Sequence, residues 1–192
     1  MNPDLLAGFA GPIGAGKNSA ASSIPRSRVI EHADPIYWMI SAMLATPVDD
    51  LRDRGSKETP LVGIGKSVRD MLRSLGTEWG RELVHPDLWV NLANARIDQH
   101  LARGELRFAI PGVRFQNEID AIRDRGGFVV WVDNPRLVPP ASAPHKSDRM
   151  IGRDDCDVLI VNGGSLDDLS RAVETAILIG KRIAADKAGA GI

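Results

Sequence analysis

Residues 5–20, Leu-Leu-Ala-Gly-Phe-Ala-Gly-Pro-Ile-Gly-Ala-Gly-Lys-Asn-Ser-Ala, constrain this chain more than any other stretch. An apolar run with strand character, Leu5 to Ala10, ends at Gly11, and Gly14, Gly16 and Lys17 follow. The spacing G-x-x-x-x-G-K, after a strand and before a helix, is that of a phosphate-binding P-loop. Glycines let the backbone come close to a polyphosphate and turn its N–H groups inward, where a helix N-terminus also favours negative charge. Lys17 would then reach the β- and γ-phosphates. A Gly-rich turn with a solvated lysine is the plainer alternative, and the matching context of strand, glycines and helix speaks against it. Gly11, Gly14, Ala15, Gly16, Lys17, Asn18 and Ser19 are therefore read as a nucleotide phosphate site. Asn18 follows the lysine, and the hydroxyl comes one residue later, at Ser19.

The rest of the chain alternates strands and helices. After a short helix through Ala20 and Ala21, residues 28–33 read as a second strand. Asp34-Pro35 opens a helix through Met39, Ile40, Met43 and Leu44, with Asp34 as its N-cap and at the carboxyl edge of the sheet, where ligands of open α/β sheets bind. Residues 46–66 are broken by prolines and glycines and read as a surface excursion. A helix from Ser67 should stop at Gly76, and a longer one runs from Pro86 to Arg103 with Leu88, Leu92, Ile97 and Leu101 on one side. Residues 106–110 and 128–132 are the third and fourth strands, separated by a helix over 116–125 that Gly126 and Gly127 end. The stretch 133–150 carries four prolines. Residues 158–161 are the fifth strand, and Ser165, with Asp168, caps a final helix. Five strands interleaved with helices predict a three-layer α/β/α fold with a five-stranded parallel sheet, of the P-loop type.

The boundaries expected are one domain over 1–185 and a frayed tail over 186–192. The chain is 192 residues long with a formal net charge of −1, so no global basic field points to nucleic acid. Arginine outnumbers lysine 18 to 6, a bias that suits bidentate phosphate contacts and that coding composition alone can also produce. Arg52, Arg54, Arg123 and Arg125 are expected as solvated surface charges. One cysteine, Cys156, excludes an intramolecular disulfide and reads as a core or near-core residue. No apolar stretch is long enough to span a bilayer, no signal-peptide pattern opens the chain, and a cytoplasmic protein is expected. A homodimer is compatible with the sequence.

Several further segments follow in order: Lys57-Glu-Thr-Pro60, Gly65-Lys-Ser-Val-Arg69, Leu75-Gly-Thr-Glu-Trp-Gly-Arg81, Asp87-Leu-Trp-Val90, Val113-Arg-Phe-Gln-Asn-Glu118 and His145-Lys-Ser-Asp148. With the P-loop frame G-x-x-G-x-G-K-x-S, this succession resembles the bacteriophage-type deoxynucleoside monophosphate kinases, relatives of adenylate kinase, over residues 5–170. The resemblance implies transfer of the γ-phosphoryl group of ATP to a deoxynucleoside 5′-monophosphate, with Mg2+ held on the side of Ser19. It implies an acceptor-binding excursion over 35–90 and a lid-like loop over 133–150. It places Arg69, Arg81 and Arg114 at the acceptor or transferring phosphate. Thr77 and Glu78 would meet sugar or base, and helix capping is the alternative for both. Trp79 and Trp89 could stack on a base or lie in the core. Asp87 is divided between capping and substrate, and Asp34, Asn117 and Glu118 fall in the acceptor-side set. Arg136, His145, Lys146 and Arg149 would close over the ATP phosphates, and Asn162 and Gly163 would border the adenine.

Some positions depart from the family's pattern. Gly112 stands where an Asp is frequent, so Asp34 or Glu118 would compensate, or Ser19 and the phosphates would hold the metal. Val68 and Arg73 stand where Pro and Gln are common, which bears on base preference. Tyr37 stands where Lys is frequent, which removes an acceptor-side cation. The competing readings are another small-molecule P-loop kinase, resembling dephospho-coenzyme A kinase, and a catalytically silent nucleotide-binding module.

Overall fold

In the computed structural model of the chain, Leu5–Ala10 (β1) is the middle strand of a five-stranded parallel sheet. The others are Arg28–Val29 (β2), Arg107–Val113 (β3), Phe128–Asp133 (β4) and Val158–Val161 (β5), in the order β2-β3-β1-β4-β5. The structure describes residues 2–137 and 151–189, with Arg54 described in its backbone alone. Two compact units divide the chain: Met1–Glu31 with Asn94–Ile192, which carries the sheet, and His32–Ala93.

All six residues of β1 are buried, as a strand covered on both faces must be. Leu5, Ala7 and Phe9 share one face, and pack with Ala20 and Ala21 of α1 (Lys17–Ser22) and Leu169, Val173 and Ala176 of α8 (Leu166–Gly189). Phe128, Val130 and Val132 of β4 and Ile160 of β5 complete that layer. The opposite layer is α7 (Gln116–Asp124), which touches β1 and β4 and buries Ile119 and Ile122. The C-terminal part of α6 (Leu88–Leu101) belongs to the same unit, and its His100 ring lies 6.4 Å from that of Phe108 in β3. The three-layer α/β/α fold with a five-stranded parallel sheet is the one expected.

Three boundaries differ from expectation, each for a local reason. β2 is two residues long rather than six. Ile30 N donates to Ala109 O at 3.0 Å, and the next rung of a parallel ladder would need an N–H from residue 111, which is Pro111. β3 runs three residues beyond Ile110 because it carries a bulge: Phe9 pairs with Pro111, Ala10 with Val113, and Gly112, at φ +78°, is the extra residue. The last helix continues past Ala185 to Gly189, and Lys187 donates to Asp157 at 2.8 Å.

Asp157 ties the edge of the sheet to two helices. Its carboxylate accepts from Val129 N at 2.8 Å, from Arg123 at 2.9 Å and from Lys187, and the side chain is 3% exposed. Arg123 is therefore an ion-pair partner and not a solvated charge, and Arg125 likewise pairs with Asp98. Cys156 is half-buried, and burial pushes its thiol up to about 12, so it stays protonated and unreactive.

The His32–Ala93 unit is helical. It holds α2 (Asp34–Leu44), α3 (Val48–Arg52), α4 (Arg54–Glu58), α5 (Val68–Arg73), a π-helix over Ser74–Val84 and the first residues of α6. Ile36, Tyr37, Ile40, Leu51, Val68 and Trp89 form its core. The stretch 46–66 is thus not only a surface excursion, since the first of its two one-turn helices, α3, delivers Leu51 to that core. Ser67 caps α5 with Asp70 in a reciprocal pair, as a helix starting there requires. Gly76 does not stop this helix. Its carbonyl accepts the Trp89 indole N–H at 2.7 Å, and the chain widens into π-helical turns that run on to Val84. Of the expected stripe of α6, Ile97 and Leu101 are buried, while Leu92 is 40% exposed and Trp89, Val90 and Ala93 are buried instead.

Candidate functional site

The carboxyl ends of parallel strands share one edge, and in the sheet-bearing unit that edge gathers the phosphate loop, the β3–α7 turn and the residue after β5. Gly11, Gly14 and Gly16 all have positive φ, at 137°, 85° and 100°. Two of them also have no room for a side chain. A Cβ on Gly11 would collide with the Val132 carbonyl of β4, and one on Gly16 with the Asn162 amide. Glycine is thus required there by both conformation and contact. Ala15 is fully buried and its N–H donates to Pro12 O at 3.1 Å, closing the turn. Lys17 opens α1, and its ammonium donates to the carbonyls of Gly11 at 2.8 Å and Pro12 at 2.7 Å, so it reaches back across its own loop. Asn18 and Ser19 are exposed on the first turn of α1.

Asn162 holds this loop from the side. Its side-chain amide donates to Ala15 O at 2.9 Å, and its backbone N–H donates to Asp133 O, at the end of β4, at 2.7 Å. At the β3–α7 turn, the buried Glu118 carboxylate accepts from the backbone N–H groups of Arg114 at 2.7 Å and Phe115 at 3.3 Å. It caps α7 and fixes the backbone from which Arg114 projects. Asn117 lies half-buried in the first turn of the same helix. Arg136 is exposed after β4, while His145, Lys146 and Arg149 lie outside the described residues.

The helical unit carries the remaining candidates. Asp34 is 8% exposed and is the first residue of α2, not its N-cap, which is Ala33. The Asp34 carboxylate is used instead to accept from Arg52 at 2.6 Å. Arg52 is therefore not a solvated charge; its guanidinium also lies 4.6 Å from the centre of the Tyr37 ring. Lys57 donates to the Tyr37 hydroxyl, with its nitrogen 5.0 Å from the same ring centre. A position that lacks a lysine of its own thus receives two cations from α3 and α4. Arg69 is paired with Glu58, and this hydrogen bond holds the Glu58 carboxyl below the usual range, with burial opposing.

Thr77 is buried in the π-helix, and Glu78 is exposed one residue on. Arg81 donates to Pro86 O at 2.9 Å and so spans the turn between the π-helix and α6. Trp89, expected at a base or in the core, is a core residue: its ring is 3% exposed and tilted against Trp79, 6.2 Å between centroids. Trp79 is 39% exposed and is the more open of the two rings.

Residues 61–173, more than half of the chain, match the family model described as deoxynucleotide monophosphate kinase. The chain belongs to the deoxynucleotide monophosphate kinase family. The matched span includes Arg69, Thr77, Glu78, Arg81, Trp89, Arg114, Asn117, Glu118, Arg149 and Asn162, while the phosphate loop precedes it. The chain is 27% identical over 177 residues to a protein of Acanthamoeba polyphaga mimivirus named "Putative deoxynucleotide monophosphate kinase", a likeness covering 85% of this chain and 91% of that one. Among solved structures it resembles the APS kinase of Mycobacterium tuberculosis in complex with AMPPNP and APS. That match has a TM-score of 0.50 and 14% identity and covers 91% of this chain and 98% of the other, a likeness of fold.

As a member of this kinase family, the chain carries P-loop phosphotransfer machinery for a small nucleotide or metabolite. The glycine loop and Lys17 lie in the sheet-bearing unit, and the carboxylate-paired Arg52 and Arg69 lie in the helical one. Two arrangements among the candidates escape a linear reading. Asn162 is 147 residues from its carbonyl partner, and the Tyr37 cluster joins residues 18 and 20 apart. A signal for the second existed in the Lys57-Glu-Thr-Pro60 segment, and nothing in the sequence marked the first as a loop contact.

Proposed function

We propose that this protein transfers the γ-phosphoryl group of ATP to a deoxynucleoside 5′-monophosphate, giving the diphosphate and ADP. The observation that carries the reading is the pairing of a fully formed phosphate loop with a family match that covers every acceptor-side candidate from Arg69 to Glu118. An oxygen of the acceptor phosphate attacks the γ-phosphorus in line, and the bond from that phosphorus to the β–γ bridging oxygen breaks, leaving the electron pair on ADP. The second pKa of a phosphate monoester is about 6, so the acceptor is largely a dianion at neutral pH and needs no strong base.

What the protein must supply is position and positive charge. The loop amides and Lys17 serve the ATP phosphates. Arg69, Arg81 and Arg114 serve the acceptor and the transferring group, with Lys57 and Arg52 restoring the cation that Tyr37 displaces. Asp34 orders this side through Arg52, Thr77 and Glu78 offer polar groups to sugar or base, and Trp79 rather than Trp89 offers a ring.

Mg2+ fits the donor set at Ser19. Among the described residues no three or more His, Cys, Asp or Glu side chains gather into a metal cluster. A hard dication that keeps its waters and binds substrate phosphates suits a single hydroxyl better than a protein cage would. There it would neutralise phosphate charge.

The test is ADP release from ATP and Mg2+ against a panel of deoxy- and ribonucleoside monophosphates, with Lys17→Ala as control. Turnover with deoxynucleotides, falling about 10²- to 10³-fold in the variant, is the expected result. ATP binding without turnover on any nucleotide overturns the reading, and coenzyme precursors then become the acceptors to try.

A further inference from the structure

Asn162 sits where the end of β5 meets the phosphate loop, and its amide points at a backbone carbonyl. We infer that Asn162 is a positioning residue that holds the phosphate loop in its anion-binding conformation, rather than a contact of the nucleotide base. The inference rests on the proposed nucleotide site and assigns one residue's part in it.

The peptide unit between Ala15 and Gly16 is planar and trans, so its carbonyl and its N–H point in opposite directions. Asn162 donates to the Ala15 carbonyl at 2.9 Å. That bond draws the negative end of the peptide dipole toward Asn162 and turns the Gly16 N–H away from it. A loop that binds phosphate through its amides needs this orientation, because the reversed peptide would present a carbonyl oxygen to the anion. The amide is also flush with the backbone, since a Cβ on Gly16 would overlap its nitrogen. Gly16, at φ +100°, and Asn162 are thus fitted to each other.

Asn162 is itself fixed. Its backbone N–H donates to Asp133 O at 2.7 Å, which anchors it to the end of β4. Three residues after it, Ser165 starts the cap of α8, with its hydroxyl hydrogen-bonded to Asp168 at 2.7 Å. The side chain therefore reaches the loop from a rigid base, and one N–H of its amide makes the bond to the Ala15 carbonyl. A base contact made by this same N–H would leave the Ala15 carbonyl without its donor.

The experiment separates loop from base by the ligand. Binding of ATP and of inorganic tripolyphosphate is measured by calorimetry for the wild-type protein, Asn162→Ala and Asn162→Ser, each at a temperature where circular dichroism shows it folded. Loss of the bond is expected to weaken both ligands by the same factor, about 5- to 10-fold for Asn162→Ala. Asn162→Ser keeps a shorter donor and supplies the second reading should the alanine variant not fold. Weaker ATP binding with tripolyphosphate unaffected overturns the inference in favour of a base contact. Unchanged affinity for both overturns it outright. Wild-type protein that binds neither ligand removes the nucleotide site itself, and the two failures are thereby distinct.

Discussion

Arg69 enters the proposed reaction already occupied, and this has a measurable consequence. Its guanidinium is paired with Glu58; the side chains are 21% and 52% exposed. The Arg69 hydrogen bond is the largest influence on the Glu58 carboxyl and lowers its pKa. A lowered carboxylate pKa means that the pair's contribution is complete above the ordinary Glu value and is lost only as pH falls through the folded one. At neutral pH the pair is intact. A monophosphate dianion taken by Arg69 must share the guanidinium with this carboxylate or displace it.

Glu58→Gln keeps the shape of the side chain and removes the competitor. A pair this open to water is worth about 0.2–1 kcal/mol, so KM for the acceptor should fall by about 1.4- to 5-fold. KM for ATP should hardly move, and the unfolding midpoint should fall only by the small worth of the pair. The assay is steady-state ADP release with acceptor varied at saturating ATP, repeated at two salt concentrations, since added salt screens an exposed competitor and shrinks the effect. An acceptor KM that rises in the variant would refute the reasoning, because Glu58 would then be orienting Arg69 rather than competing for it. An ATP KM that shifts while the acceptor KM stays fixed would remove Arg69 from the acceptor side.

Three further outcomes follow from packing and charge. Gly80→Ala places a methyl group inside the Trp89 indole, 2.7 Å from its Nε1, and should cost about 1–3 kcal/mol. Tryptophan fluorescence through thermal unfolding should show a lower midpoint, and an unchanged one means that the π-helix does not press on that ring. Asp157→Asn removes the charge from a carboxylate that burial would raise but that Lys187, Arg123 and the Val129 amide together lower. Its stabilisation is present above the ordinary Asp value and fades as pH falls through the lower folded value. The wild type should therefore lose stability more steeply than the variant below about pH 4, checked by denaturation midpoints across acid pH. Lys57→Met should raise acceptor KM with little change in ATP KM, and equal effects on both would detach the Tyr37 cluster from the acceptor.

What could be read from the chain was what neighbours in sequence decide. An apolar run closed by Gly11 defines β1 and its loop together, and Ser67 with Asp70 marks the start of α5. The parallel sheet follows from five such runs separated by helices. The errors fall where a distant residue overrides the local signal. β2 looked longer because Pro111, which denies it a rung, lies on another strand. Gly76 looked like a helix stop because its carbonyl partner, Trp89, is a helix away. Arg52, Arg123 and Arg125 looked solvated because their carboxylates, Asp34, Asp157 and Asp98, are 18 to 34 residues from them.

The same distinction separates the two halves of the proposed chemistry. On the ATP side the groups are mostly backbone amides, locked by positive-φ glycines, by Asn162 and by the neighbouring strand. Such donors lose little freedom when a phosphate arrives, so their contribution is prepaid in the fold. On the acceptor side the groups are long cationic side chains, and Arg69 and Arg52 are held by carboxylates. Binding there exchanges one anion for another, which makes affinity modest and sensitive to the charge and geometry of the incoming phosphate. In the proposed reaction that asymmetry would let a preformed loop hold ATP while exchangeable ion pairs take the acceptor and release the product.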